Sequence, residues 1–226
     1  MCHRFCALVL LIISFSGCFN YSRNQIKQNP ISERYTSECA NVKIELEEFY
    51  LPGAESAKKI AIYKVKIINH SSAKLLIRYK NFKIITQKAG YTFNALPPYE
   101  IFGSSHKQMV VLPYPFPVHH QIEHFRFSVA PFSSRMYQEL PVSNHLFTID
   151  SSYYSMHFNK LAVSGISVER ILEKIVPEGV VDTGGYISGY LYFEKIRSRN
   201  YLFQMELVEA DSEKPIDIIQ ISVKKK

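Results

Sequence analysis

The stretch "IYKVKIINHSSAKLLIRYKNFKII", residues 62–85, alternates apolar and polar side chains as a half-buried β-strand does. Tyr63, Val65 and Ile67 fall on one face of the first strand, and lysines fall on the other. The polar letters "NHSSAK" then indicate a turn, and "LLIRYKNF", residues 75–82, indicates a second strand. The region therefore predicts two neighbouring strands joined by a short turn.

The same alternation recurs on both sides of this region and predicts a mainly β chain. About eight strands result, with short polar turns such as "IRSRN" and "ADSEKP" between several of them. The further strands are "VKIELE" (42–47), "FRFSV" (125–129), "GYLYFEK" (189–195), "YLFQMELVE" (201–209) and "IDIIQISV" (216–223).

One short helix is predicted between Ser167, which is placed to cap its start, and Pro177, which ends it. The apolar residues between them follow the spacing of one helix face. These residues are Val168, Ile171, Leu172 and Ile175. Many short antiparallel strands with a single helix favour a β-sandwich or a barrel.

The N-terminus carries an apolar run, "FCALVLLIISF", directly after Arg4. A helix needs about 20 apolar residues to cross a bilayer, so this shorter run is typical of a secretory signal. Small residues follow and end at Cys18 in "FSGC". One interpretation of this start is a plain cleaved signal in which Cys18 has no role. Another is a short apolar start with an incidental cysteine.

The "FSGC" letters resemble the lipobox of bacterial lipoproteins. The resemblance implies that residues 1–17 are removed and that Cys18 carries a diacylglycerol. Two or more acyl chains hold a protein stably on a membrane. Phe19 stands where an Asp would mark retention in the inner membrane, so the resemblance implies the outer membrane, with the protein facing the periplasm or the cell surface.

The remaining chain divides into a predicted tether, residues 18–38, and a predicted folded domain, residues 39–226. Removal of Arg4 leaves 26 basic against 20 acidic residues, from 27 against 20 in the whole chain. Cys39 is the one cysteine left to the domain, so we expect a small buried side chain and no internal disulfide. Residues 94–160 are broken by prolines and hold six of the eight histidines, so they are interpreted as an irregular insertion.

Two segments resemble bacterial lipoprotein domains of the immunoglobulin-like class. Residues 62–85 resemble their early strand pair, in which a strand ends in Asn before a short turn. "ILEKIVPEGVVDTGGYISGYLYFEK", residues 171–195, resembles their later signature. Pro177, Gly179, Gly189 and Phe193 carry that second likeness. The resemblance implies an antiparallel immunoglobulin-like β-sandwich of mostly unassigned function.

The letters "HQIEH" place His120, Glu123 and His124 in an H-x-x-E-H pattern. On a helix, this spacing lets two imidazoles bind zinc while the glutamate activates a water molecule. Three preceding prolines and the strand pattern that follows argue against such a helix. Zinc hydrolysis is therefore kept as an alternative, as is metal binding by His119 with the two motif histidines, and no cofactor or metal is expected.

Residues 58–88 hold nine Lys and Arg and no Asp or Glu. Strand parity predicts that four of them share one outward face, which could meet anionic lipid or lipopolysaccharide phosphates. They are Lys64, Lys66, Arg78 and Lys80. Alternatively, Glu45 and Glu47 pair across the neighbouring strand and leave a solvated, balanced face.

These features together predict a lipid-anchored, non-enzymatic binding or envelope-assembly module. Its partners would be the membrane, an anionic lipid or an envelope protein, and nucleic acid is not expected for an exported lipoprotein. A zinc hydrolase and a subunit of a secretion or pilus apparatus are the alternatives.

Overall fold

A computed structural model describes residues 33–49, 59–102, 109–111 and 119–224. Within these ranges the chain is mainly β-strand, with two short α-helices. The elements are β1 (Arg34–Cys39), β2 (Val42–Phe49), β3 (Ile60–Asn69), β4 (Leu75–Ile77), β5 (Phe82–Thr86), β6 (Thr92–Asn94), β7 (Glu100–Phe102), β8 (Met109–Val111), β9 (Glu123–Val129), α1 (Ser151–Ala162), α2 (Val168–Leu172), β10 (Gly179–Glu194), β11 (Asn200–Val208) and β12 (Pro215–Lys224).

Two antiparallel sheets account for most of these strands. In the larger sheet, β1, β2, β3 and β10 are neighbours in that order, β4 pairs with β10 beyond the end of β3, and β9 covers the opposite edge of β10. In the smaller sheet the order is β12, β11, β5 and β6, while β7 and β8 form a separate pair. The prediction of a mainly β, antiparallel fold is confirmed.

The two sheets meet through aromatic and branched side chains. The Tyr63 hydroxyl of the larger sheet lies 2.6 Å from the Tyr201 hydroxyl of the smaller one. The Tyr63 ring also packs edge-on against Phe193, with ring centroids 5.8 Å apart. Val65 and Ile67 lie on the same inward face and are buried, as their alternation predicts. Each such fully buried side chain contributes roughly 1.5–3 kcal/mol to folding.

Asn69 forms the corner that ends β3. Its side-chain amide donates to the carbonyls of Ala73 (2.8 Å) and Val181 (3.1 Å), and its oxygen accepts from the backbone of Ser71 (3.0 Å). The predicted turn is confirmed. The strand predicted over residues 75–82 is wrong, because β4 ends at Ile77 and the chain then crosses to the smaller sheet as β5.

Close backbone approach explains two glycines of the 171–195 segment. A Cβ on Gly179 would lie 2.2 Å from the Ser128 carbonyl oxygen, and a Cβ on Gly189 would lie 2.8 Å from that of Lys174. The residues before β10 run alongside that strand, since the Tyr190 amide donates to Lys174 at 2.8 Å. Glycine at both positions lets neighbouring chain segments pack directly on β10.

The helix predicted after Ser167 is confirmed as α2, and the Ser167 hydroxyl accepts from the Arg170 amide at 3.4 Å. It ends at Leu172, before the predicted end at Pro177, and Ile175 instead forms a β-bridge with Tyr190. The region predicted as an irregular insertion contains β9, which pairs with the long strand β10, and α1, which the sequence did not predict. Residues 34–38, which were predicted as tether, form most of β1. Cys39 is buried, and its thiol donates to the Asp217 carboxylate at 3.0 Å.

Candidate functional site

A groove of about 640 Å³ lies where the larger sheet meets the turn between β11 and β12. Ser128 of β9 and Val180 of β10, which pair across the sheet, line it together with Asp182 and Lys74. Residues 142–146 and 210–213 line the rest. The groove is thus built from a rigid sheet and from two connecting segments.

The loop over residues 142–146 is fixed to β9 by backbone hydrogen bonds. The Val129 amide donates to Pro141, and the Ser143 amide donates back to Val129, each at 2.8 Å. This attachment leaves two large apolar side chains beside the groove, because Val142 is 52% exposed and Leu146 is 89% exposed. The side of the groove formed by this loop is therefore partly apolar.

The turn on the other side is fixed to the larger sheet. The Ala210 amide donates to the Lys74 carbonyl at 2.8 Å, and the Glu209 amide donates to Lys214 at 2.9 Å. Glu213 has a φ of 52°, a backbone conformation that non-glycine residues rarely adopt. The turn therefore holds Glu213 in an unfavourable conformation that its side-chain contacts must offset.

Arg78 supplies those contacts from inside the protein. It is 6% exposed, and its guanidinium donates to the two Glu213 carboxylate oxygens at 2.7 and 3.2 Å. The His145 Nε2 and the Thr148 amide lie 3.2 and 3.3 Å from the same carboxylate. Partial burial opposes ionisation of Glu213, but the bonds from Arg78 outweigh it and lower the pKa of Glu213 to about 2. The groove is therefore closed at this end by an ion pair.

Glu178 is a second, fully buried carboxyl group. It accepts from the Tyr79 amide at 2.8 Å, from the Tyr99 hydroxyl at 3.3 Å and from the Tyr154 hydroxyl. Burial raises the pKa of Glu178, and the bonds from Tyr154 and Tyr79 counteract only part of that effect. The cavity beside it, of about 10 Å³, is close to the size of one water molecule. Glu178 therefore stabilises a buried tyrosine cluster and has no space for an organic substrate.

The H-x-x-E-H segment does not form a helix. His120 is buried ahead of β9, with its ring nitrogens 2.9 and 2.5 Å from the carbonyl oxygens of Leu172 and Met136. Glu123 and His124 are successive residues of β9 and point to opposite faces. The part of the chain that the structure describes holds no group of three or more His, Cys, Asp or Glu able to bind a metal. The arrangement that zinc hydrolysis requires is thus missing from this segment.

The four basic candidates are not on one surface, so that prediction is wrong. Lys64 and Lys66 lie on the outer face of β3. Arg78 is buried against Glu213, and Lys80 lies in the 3₁₀ turn that follows, beside the Glu178 cavity. The chain leaves the larger sheet after β4, which ends the strand parity on which the prediction depended.

The outer face of β2 balances part of this charge. Glu45 is opposite Lys66 and Glu47 is opposite Lys64 in the strand register, as the alternative interpretation expects. The ion pairs themselves are made by Lys43 with Glu45 at 2.8 Å and by Arg34 with Glu47 at 3.5 Å. The bond from Lys43 lowers the pKa of Glu45. The β2 side of the sheet is therefore electrostatically compensated.

Sequence reasoning did not identify the groove residues. His145 and Leu146 lie in the proline-broken region, and Glu213 lies in a polar turn, so local periodicity gave no signal for them. Cys18 lies outside the described residues. Within the described residues, no helix is both long and apolar enough to cross a membrane.

Comparisons of this chain with protein-family models, with curated proteins and with solved structures find no match.

Proposed function

We propose that this chain is a lipid-anchored, non-enzymatic binding module of the bacterial envelope, and that the groove beside Leu146 is its ligand site. The "FSGC" letters support the anchor at Cys18, and Phe19 supports an outer-membrane location. Two antiparallel sheets around a shared aromatic core support the finer assignment of an immunoglobulin-like β-sandwich.

The groove is the observation that carries the proposal. The groove has a volume of about 640 Å³ and is open to solvent, so side chains of a partner can enter it. The groove offers a cation, an anion and a hydroxyl from Lys74, Asp182 and Ser128, which lie on strands or next to strands. Apolar surface at its side comes from Leu146 and Val142. An apolar contact surface beside placed polar groups is the usual anatomy of a protein interface.

The ligand we propose is a segment of another envelope protein. Connecting loops on a rigid sheet are where binding functions concentrate, and residues 142–146 are such a loop. An exposed leucine can insert into a partner, and the fixed polar groups of the groove can set the orientation of that partner. Such a module would act by holding a partner at the membrane to which Cys18 anchors it.

Photo-cross-linking from the groove tests this function. A photoreactive residue replaces Asn144 in the groove loop, and the matched control replaces Gln220, an exposed residue on the outer face of the smaller sheet. We expect a defined adduct in intact cells from position 144 and none from position 220. Leu146→Asp should abolish that adduct at unchanged protein level. Identical adducts from both positions, or none from position 144, would contradict the proposal.

A further inference from the structure

Phe125 is turned out of the protein by a strained residue in β9. Phe125 and Phe127 share the parity of one strand face, yet Phe127 is 2% exposed and Phe125 is 51% exposed. Arg126 between them has a φ of 50°, and residues 182–185 of β10 bulge opposite it. A non-glycine residue held in this conformation points to a function for the arrangement it creates.

The outward ring lies in a cluster of aromatic and basic side chains. Phe125 and Tyr186 pair across β9 and β10 with ring centroids 6.4 Å apart. The Lys66 ammonium lies 4.5 Å from the centre of the Tyr186 ring, and the Arg126 guanidinium lies 5.4 Å from that of Phe125. Two rings and two cations thus share the outer face of the larger sheet.

A polar hollow of about 100 Å³ continues this cluster along β10. Lys64 and Lys174 line it with Ser188, a buried hydroxyl residue that lies opposite Lys66 in the register. Lys174 is held there because its carbonyl accepts from the Tyr190 amide at 2.8 Å, an approach that Gly189 permits. The backbone therefore fixes Lys174 beside β10, at the hollow that Lys64 also lines.

The charges of this half of the sheet are predominantly positive. Four cations of this half stand against Glu123 and Asp182. Glu45 and Glu47 lie opposite Lys66 and Lys64 on β2, where they make ion pairs with Lys43 and Arg34. Glu123 is 3.7 Å from Lys64, and Asp182 is 3.9 Å from Lys74, which lies outside the cluster. We define the aromatic–basic face by the rings and the cations that surround them. It consists of Phe125, Tyr186, Lys64, Lys66, Arg126 and Lys174.

We propose that the aromatic–basic face docks on the anionic surface of a phospholipid bilayer. A tyrosine ring such as that of Tyr186 favours the headgroup level of a bilayer, and the apolar ring of an exposed phenylalanine such as Phe125 can be buried at the boundary with the acyl chains. Lysine and arginine beside them meet the lipid phosphates. The inference rests on the proposed function, because the lipid on Cys18 would keep the domain next to a bilayer and so let a low-affinity contact form.

Vesicle binding by residues 18–226 with Cys18→Ser, which lack the apolar run of residues 5–15 and cannot be acylated at position 18, tests the face separately from the anchor. We expect sedimentation with phosphatidylcholine vesicles that contain phosphatidylglycerol, and much less with phosphatidylcholine alone. The double change Lys66→Ala with Lys174→Ala should reduce binding ~25-fold, at about fivefold for each basic residue. The matched change Lys83→Ala with Lys214→Ala should leave binding within about twofold of the parent.

The contact of the Phe125 ring with the bilayer can be measured separately by tryptophan fluorescence, because the chain contains no tryptophan. In Phe125→Trp the single indole should shift to shorter emission wavelength on anionic vesicles. In Tyr91→Trp, at an aromatic position that is also exposed, the emission should stay constant. Fluorescence unchanged at position 125, binding insensitive to the double change, or binding of inorganic phosphate without vesicles would each overturn the docking proposal. The cross-link from position 144 would survive that failure, which separates it from failure of the groove.

Discussion

The guanidinium of Arg78 and the carboxylate of Glu213 form a two-bonded ion pair between residues 135 positions apart in the sequence. Arg78 follows β4 of the larger sheet, and Glu213 lies in the turn between two strands of the smaller one. The loop that carries His145 binds the same carboxylate. One ion pair therefore joins both sheets and the groove loop.

Arg78→Ala is expected to lower the free energy of unfolding by about 2–3 kcal/mol. Breaking a fully buried pair costs about 3–5 kcal/mol, and the effect is smaller here because the Glu213 side chain is 27% exposed. Chemical denaturation of Arg78→Ala measures the loss. The change Lys88→Ala, at an exposed lysine, is the control, and it should stay within about 0.5 kcal/mol of the parent. An equal, small effect in both variants would contradict a stabilising role for the pair.

Acid titration should reveal the same carboxylate. Because the pKa of Glu213 is lowered from 4.5 to about 2, its contribution to stability is complete above about pH 4.5. That contribution is lost as the pH falls from about 4.5 to about 2, where the folded protein also takes up the proton. Denaturation midpoints of the parent and of Glu213→Gln should therefore converge across this interval. A constant difference between the two proteins would show that Glu213 is not the group responsible.

Local patterns in the sequence predicted much of the framework. Val65 and Ile67 are buried as their alternation requires, and Asn69 forms the turn that its position indicated. Ser167 caps the predicted helix. These features depend on residues that are near one another in the sequence, so local periodicity and capping chemistry were sufficient.

Features set by distant residues could not be predicted in this way. Arg78 has the parity of an outward residue, but its strand ends and the chain crosses to the other sheet. Phe125 has the parity of Phe127, but Arg126 and the bulge of β10 reverse its face. Helix α1 was not predicted because its buried residues include Tyr154 and His157. A tyrosine and a histidine do not give the periodic pattern of apolar residues that indicates a helix.

Glu178 should give the opposite pH dependence to Glu213. Burial raises the pKa of Glu178, so the folded protein holds the proton to higher pH than the unfolded chain does. Its contribution is then most favourable below about pH 4.5 and is lost as the pH rises through the raised pKa. In Glu178→Gln the side chain cannot ionise. The free energy of unfolding of this variant should therefore fall less than that of the parent as the pH rises through the raised pKa of Glu178. A parallel decline in both proteins would contradict the assignment.

Glycine substitutions test the close packing on β10. In Gly179→Ala the new Cβ would lie 2.2 Å from a backbone oxygen, and in Gly189→Ala it would lie 2.8 Å from one, so the neighbouring backbone must move away from β10. We expect losses of roughly 1–3 kcal/mol, with Gly179→Ala the larger. Gly90→Ala is the control for space, since nothing lies within 4 Å of its Cβ and only its φ of 66° opposes the change. Thermal unfolding of the three variants gives the order, and a greater loss at position 90 would contradict the packing argument.

The anchor is tested by changing Cys18, the residue on which the lipoprotein resemblance depends. Cys18→Ala removes the thiol that a diacylglycerol would be joined to, so labelling with a fatty-acid analogue should disappear.

A chain held by two or more acyl chains stays on membranes, whereas one held only by the aromatic–basic face should be released by salt, because exposed charges are screened over about 8 Å at physiological ionic strength. Fractionation of cells in low and high salt should therefore find the parent with membranes in both conditions, and any Cys18→Ala that has lost residues 1–17 in the soluble fraction at high salt. Cys39→Ala is the matched control, since its thiol is buried against Asp217 and it should leave labelling unchanged. Undiminished acylation of Cys18→Ala would contradict the anchor while leaving the groove and the face to be judged by their own experiments.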